Sequence, residues 1–189
     1  MDKIRDSADI LQPEKEETYQ FIEKLLSSVK ESFSTNRVHL GMDEAVMLGL
    51  GNYLKENGYK KGSLIIREHC NRVVDICRKL ELKPMIWSDM YITANSTGGY
   101  YDLPENTDCS KWEKPKKDLG LVYWDYYHDD TRTYEKMLDI HAQLSDNVIF
   151  AGGSWIWNGI SPNYSKTYAC TKAALSTCKK YNILKYCIF

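Results

Sequence analysis

The chain has 189 residues, of which 43% are hydrophobic and 27% charged, and its formal net charge is -1 at pH 7. This length suits one domain with a sizeable core, and the near-neutral charge gives no electrostatic reason to expect nucleic acid or a membrane surface as a partner. The opening segment MDKIRDSADIL is charged, no stretch is long enough to span a bilayer, and the cysteines form no CxxC pair. We therefore expect a cytoplasmic protein with free thiols.

The spacing of apolar residues predicts an alternation of helices and strands. The first predicted helix, residues 14–34, follows a proline and has an acidic first turn, which are both typical of a helix start. The elements predicted after it, in chain order, are strand 37–42, a loop passing into a short helix over 43–58, helix 63–82, strand 83–90, a polar loop over 91–118, strand 119–127, helix 131–145, strand 147–157, helix 163–182 and strand 183–189.

The predicted strands are apolar on both faces and alternate with helices along most of the chain, which is typical of a parallel sheet covered by helices. Five such strands fit half of a (β/α)8 barrel or a doubly wound open sheet, and no GxGxxG or Walker A motif supports a nucleotide-binding version. Chemically reactive residues end four strands in a row. A barrel gathers its catalytic groups at several strand ends, whereas an open sheet has one switch point. The pattern therefore predicts an α/β fold, a partial (β/α)8 TIM barrel.

Acids and indole rings occur together at these predicted strand ends, which read DE at 43–44, WSD at 87–89, WDYY at 124–127 and GGSWIW at 152–157. A pyranose ring has an apolar face that stacks on an indole, and cleaving its glycosidic bond requires an acid at the leaving oxygen. The combination indicates a carbohydrate site. A plainer interpretation stays open at this point: adjacent acids also favour the first turn of a helix, and tryptophans also fill cores.

The segment HLGMDEA, residues 39–45, resembles the His-x-Gly-x-Asp-Glu signature of glycoside hydrolase family 20, the β-N-acetylhexosaminidases. The segments KPMIWSDM, LVYWDYYH and FAGGSWIWNGISPN follow in the order and spacing of one bacterial branch of that family, so the resemblance extends from about Ile4 to the end of the chain. It implies hydrolysis of terminal non-reducing β-linked N-acetylglucosamine or N-acetylgalactosamine from an oligosaccharide or glycoconjugate, without a cofactor.

The resemblance also implies roles for individual residues. In this family the acetamido group of the substrate is the nucleophile, so Glu44 would be the general acid and base and Asp43 would orient the acetamido N–H. The residues that would contact substrate or support the acid pair are Trp87, Trp124, Tyr126, Asp125, Trp155, Trp157 and His39. Tyr123 and Tyr127 are alternatives to Tyr126 for the bond to the acetamido carbonyl, and His39 is expected beside Asp43. No metal is expected, since no second histidine joins His39 at ligand spacing.

The family barrel has eight strands, whereas this chain matches roughly strands four to eight and lacks the arginine that the family carries on strand one. The resemblance therefore implies that residues 1–189 are a single, incomplete domain, the C-terminal part of the catalytic barrel, which could associate with itself through exposed barrel edges. Two alternatives remain open. One is an inactive fragment or a carbohydrate-binding remnant. The other is a barrel glycosidase with a protein nucleophile, for which Asp89 and Asp125 are the best candidates.

Overall fold

A parallel sheet of five strands organises the chain. In this computed structural model, which describes residues 2–188, the strands are β1 Arg37–His39, β2 Lys83–Trp87, β3 Gly120–Trp124, β4 Val148–Gly152 and β5 Tyr186–Ile188. They pair in strict chain order, and every pair is parallel. A doubly wound sheet would reverse its strand order at a switch point, whereas a barrel adds each strand beside the previous one. The predicted partial α/β barrel is therefore confirmed.

Helices connect the strands and cover one side of the sheet. They are α1 Glu16–Ser32, α2 Asn52–Asn57, α3 Gly62–Lys79, α4 Asp89–Thr93, α5 Thr131–Leu144 and α6 Tyr164–Lys180, preceded by a 3-10 turn at Asp2–Ile4. The first four strands end earlier than predicted, at His39, Trp87, Trp124 and Gly152. The strand predicted to run to residue 90 ends at Trp87, and α4 occupies the start of the predicted loop 91–118. The apolar run that resembled a continuing strand instead buries Met90, Tyr91 and Ile92 in one helical turn.

Alternate residues of the strands face two different layers. On the helix side, Ile86, Leu121 and Tyr123 belong to the largest apolar cluster, which side chains from α3, α5 and α6 complete. On the other face, Val122 packs in a smaller cluster that includes Trp124 and Trp87. Because side chains alternate along a strand, the two indoles stand on the face away from the helices, at the carboxyl ends of β2 and β3. Among residues 2–188, no helix has the length and apolar character needed to cross a bilayer.

The outer strands β1 and β5 each leave one edge without a strand partner in the described part of the chain. Near the β5 edge, Leu184 is 79% exposed, Tyr186 58% and Ile188 43%. An exposed apolar edge strand pairs readily with another chain, because its backbone donors and acceptors remain available. We therefore propose that β5 associates with a second copy of this protein.

Replacing Tyr186 and Ile188 together by lysine should reduce the average mass of the protein in solution, measured by light scattering over a concentration series. Charged side chains on an edge strand oppose pairing. Tyr168→Lys is the matched control, because Tyr168 is 77% exposed but lies on α6. A wild-type chain that stays monomeric at every concentration would contradict the proposal.

Candidate active site

The carboxyl ends of the strands surround an open cavity of about 410 Å³. The residues that line it are Asp43, Glu44, Trp87, Trp124, Tyr126 and Trp157. Both acids are exposed, whereas Trp87, Trp124 and Tyr126 are half-buried. The fold thus brings together, from four successive strand ends, the two carboxylates and the aromatic rings that the sequence places more than a hundred residues apart.

The acid pair lies on an irregular turn that follows β1. The turn is fixed to β2 by two backbone bonds, from the Leu40 N–H to the Met85 carbonyl at 2.8 Å and from the Trp87 N–H to the Gly41 carbonyl at 3.1 Å. Its backbone enters the left-handed region three times, with φ of +70° at Gly41, +69° at Met42 and +48° at Glu44. For a residue with a Cβ this conformation costs about 1–2 kcal/mol, so other contacts must hold it.

Behind the acid pair, His39 packs on Trp87 with ring centroids 4.3 Å apart. His39 Nδ1 accepts a hydrogen bond from the Gly41 N–H at 3.1 Å. Burial lowers the pKa of His39, and the charge of Asp43 partly offsets this shift, so the ring is neutral at pH 7. His39 therefore supports the turn through its bond to Gly41, and its ring packs against Trp87. It does not line the cavity.

Trp124 forms another wall, and it is held from behind. The Tyr100 ring stacks on it at 5.2 Å with an interplanar angle of 23°, and the Tyr101 hydroxyl donates to its carbonyl at 2.7 Å. Beside it, burial raises the pKa of Tyr126 to about 12, with further contributions from Tyr127 and from the charge of Glu44. Tyr126 therefore keeps its proton at neutral pH and can donate a hydrogen bond.

The two tryptophans after β4 have different positions. Trp157 is 49% exposed, lines the cavity and packs edge-on against Tyr126 at 5.2 Å. Trp155 is only 7% exposed; it lies behind Trp157, and its indole N–H donates to the Tyr126 carbonyl. Gly153 makes this packing possible, since a Cβ there would lie 2.4 Å from the Trp157 ring. Trp155 thus positions the aromatic wall and does not face the cavity.

Asp125 is also away from the cavity. It was expected to bind sugar hydroxyls, but it is 1% exposed and its carboxylate is occupied by protein donors. Oδ2 accepts from the Tyr123 hydroxyl at 2.9 Å and lies 2.8 Å from His128 Nδ1, while Oδ1 accepts from the Tyr127 N–H at 2.9 Å. Its place is under the turn that follows β3, where it fixes the backbone beside Tyr126.

A buried polar chain under the cavity was not foreseen from the sequence. The Ser88 hydroxyl lies 2.7 Å from the Tyr100 hydroxyl and 2.7 Å from His141 Nε2, and His141 Nδ1 lies 2.6 Å from the Met137 carbonyl. A carbonyl only accepts, so Nδ1 carries the proton, Nε2 accepts from Ser88, and Ser88 accepts from Tyr100. The chain joins α5 to the end of β2. The sequence around His141 is that of an ordinary helix, so it does not predict the contact with Ser88.

Stability should fall as the pH drops through the range in which His141 becomes protonated. His141 is fully buried, and burial lowers its pKa to about 4, whereas an unfolded histidine has a pKa of about 6.5. The unfolded state therefore takes up the proton first. The contribution of His141 to the free energy of unfolding is complete above about pH 6.5, and it declines by about 1.4 kcal/mol per pH unit between that pH and about pH 4.

Denaturation at pH 7 and pH 5 measures this loss, and it should be smaller in His141→Gln. An NMR titration of wild-type His141 checks the cause directly. A ring that becomes protonated near pH 6.5 in the folded protein would contradict the explanation.

Within residues 2–188, no group of three or more His, Cys, Asp or Glu side chains is arranged to hold a metal ion. In a comparison with protein families, the model of the glycosyl hydrolase family 20 catalytic domain matches residues 2–141. The matched range contains the acid pair, Trp87 and Trp124, whereas Gly153 and Trp157 follow it. No curated protein matches the chain.

Proposed function

Because the chain belongs to glycosyl hydrolase family 20, a family of glycoside hydrolases that act on hexosamine substrates, we propose that it removes terminal non-reducing β-linked N-acetylglucosamine or N-acetylgalactosamine with retention of configuration. The observation that carries the proposal is the single cavity in which Asp43 and Glu44 stand among indole walls. Enzymes of this family use the acetamido group of the substrate in place of a protein nucleophile.

In the proposed first step, Glu44 donates its proton to the glycosidic oxygen while the acetamido carbonyl oxygen attacks the anomeric carbon. The bond to the aglycone breaks, and an oxazolinium ion forms. In the second step, the Glu44 carboxylate removes a proton from water, which attacks the anomeric carbon; the bond from that carbon to the acetamido oxygen breaks, so the oxazolinium ring opens and the acetamido group is restored. Asp43 accepts a hydrogen bond from the acetamido N–H, so it aims the nucleophile and stabilises the positive charge.

The aromatic residues supply the remaining contacts of the sugar. Trp87 and Trp124 offer flat apolar faces to the ring and to the acetamido methyl group. Tyr126 keeps its proton and can donate to the acetamido carbonyl, since burial raises its pKa to about 12. Trp157 closes the side of the cavity next to Tyr126.

A second cavity of about 780 Å³ adjoins the first and shares Glu44 and Trp124 with it. Its lining includes the exposed apolar side chains of Val46, Leu50 and Tyr59. A general acid must stand beside the oxygen that joins sugar and aglycone. The position of Glu44 between the two cavities therefore supports placing the sugar in the first and the aglycone in the second.

A mechanism with a protein nucleophile finds less support. Asp89 is 3% exposed and Asp125 is 1% exposed, and both carboxylates accept hydrogen bonds from protein N–H groups. A nucleophile must reach the anomeric carbon, and neither residue lines the cavity that contains both acids; Asp89 borders only the second cavity, where the aglycone is placed.

The test is incubation of the chain with a chromogenic β-N-acetylglucosaminide and with a thiazoline analogue of the oxazolinium ion. Hydrolysis that the thiazoline inhibits supports the proposal. Tight thiazoline binding without hydrolysis indicates a carbohydrate-binding remnant, and hydrolysis that is insensitive to thiazoline indicates a protein nucleophile. Either of these two results would overturn the proposal.

A further inference from the structure

The backbone of the acid pair is held from a different strand. The Glu44 N–H donates to Asp89 Oδ2 at 2.8 Å, although the two residues are 45 positions apart. Glu44 has a φ of +48°, a conformation that residues with a Cβ keep only when their surroundings impose it. The contact with Asp89 acts on the amide of the residue that carries the acid, so it bears directly on where the Glu44 side chain lies.

Asp89 is itself firmly placed. It is the first residue of α4 and is 3% exposed. Ser88, which precedes it, donates its N–H to the Val122 carbonyl at 3.0 Å, and the Ser88 hydroxyl is held by Tyr100 and His141. The anchor of the acid pair is thus tied to β3 and α5, which are regular elements of the core.

The two oxygens of the Asp89 carboxylate differ: Oδ2 accepts from the Glu44 N–H, whereas Oδ1 is buried and has no hydrogen-bond donor among residues 2–188. Burial raises the pKa of Asp89, the hydrogen bond from the Glu44 amide lowers it, and the nearby charge of Asp43 raises it. A carboxylate accepts on both oxygens, whereas an asparagine amide accepts on one side and donates on the other. In Asp89→Asn, the Glu44 N–H would therefore face either an NH2, which cannot accept, or a neutral amide oxygen, which is a weaker acceptor than a carboxylate.

We propose that Asp89 is a positioning residue of the proposed hydrolase: its buried carboxylate accepts the Glu44 amide hydrogen and thereby holds the general acid at the glycosidic oxygen. The expected effect of Asp89 on hydrolysis rests on the proposed function, whereas its hydrogen bond to the Glu44 amide does not. Asp89 does not line the cavity proposed for the sugar, and it borders the second cavity. It acts through the turn that carries Glu44.

Asp6→Asn is a matched control. Asp6 is also 3% exposed, and its carboxylate accepts backbone N–H groups as well, from Gly49 at 2.8 Å and from Tyr53 at 2.7 Å. It supports the start of α2 and lines neither cavity of the proposed site. A change at Asp6 therefore reports the general cost of disturbing a buried carboxylate, without displacing the acid pair.

The first experiment follows exchange of the Glu44 amide hydrogen by NMR and requires no turnover. Asp89→Asn should speed this exchange by about 10-fold or more, since the amide loses its charged acceptor, while the strand amides of Ile86 and Val122 keep their protection. Asp6→Asn should leave the Glu44 amide unchanged. Unchanged exchange at Glu44 in Asp89→Asn would overturn the proposal.

The second experiment compares two substrates. A displaced general acid slows a methylumbelliferyl glycoside, whose leaving group needs the proton, more than a dinitrophenyl glycoside, whose leaving group does not. Asp89→Asn should lower kcat/KM by about 10-fold or more on the first substrate and by less than about 3-fold on the second. Asp6→Asn should affect both alike. Equal losses in Asp89→Asn would overturn the proposal. If the wild-type chain hydrolyses neither substrate, the proposed function fails, and the exchange measurement alone decides the role of Asp89.

Discussion

Glu44→Gln should lower kcat/KM for a methylumbelliferyl β-N-acetylglucosaminide by about 10²–10⁴-fold, which is the typical contribution of a positioned general acid. The glutamine keeps the size of the side chain but carries no transferable proton. On the dinitrophenyl glycoside the loss in kcat/KM should be small, because that leaving group departs as an anion. The value of kcat should still fall on both substrates, since the second step needs Glu44 as a base.

Added azide should restore part of kcat in Glu44→Gln, because it attacks the oxazolinium ion without a general base. Glu31→Gln, a change at an exposed residue of α1, is the control and should behave as wild type. Equal losses of kcat/KM on both substrates, or no rescue by azide, would remove Glu44 from the proposed role.

Asp43→Asn should lower kcat/KM by about 10²–10³-fold, the usual cost of removing one group that stabilises charge in the transition state. The loss should be the same on both leaving groups, since Asp43 serves the acetamido nucleophile and not the departing oxygen. It should also weaken binding of the thiazoline analogue, whose ring resembles the charged intermediate.

The pair of variants is its own control, because Asp43 and Glu44 share one turn and one cavity. A merely structural disturbance of that turn would give both variants the same pattern. A loss in Asp43→Asn that depended on the leaving group, or unchanged thiazoline binding, would contradict the division of tasks between the two acids.

The outline of the fold was predictable because its signals are local. Continuous apolar runs mark the buried parallel strands, and the helices show a 3.6-residue spacing of apolar side chains. The short helix α4 was missed because five residues are too few for that spacing to appear. Its apolar residues Met90 to Ile92 extend the pattern of the preceding strand without a break.

The site was predictable in composition but not in arrangement. The sequence places Asp43, Glu44, Trp87 and Trp124 at strand ends, and the structure brings these side chains into one cavity. Burial of Asp125 depends on donors that the folded chain brings together around its carboxylate. No local pattern distinguishes a carboxylate that faces a ligand from one that is already satisfied.

The same limit applies to residues that meet only in the folded chain. The bond between Glu44 and Asp89 spans 45 positions, and the one between Ser88 and His141 spans 53. The different positions of Trp155 and Trp157 follow from a φ of +50° at Trp155 and from the absence of a Cβ at Gly153. The spacing of apolar residues along the sequence predicts neither feature.

The strict order of strands in the sheet also bears on how the chain acquires its shape. Each strand pairs with the next one along the chain, so no pairing has to wait for a remote segment, and the entropy lost in closing each loop stays modest. The sheet can therefore grow by one strand and helix at a time while synthesis continues. The cavity that contains the acid pair would be completed late in this process, because Trp157, which lines it, is synthesised more than a hundred residues after the two acids.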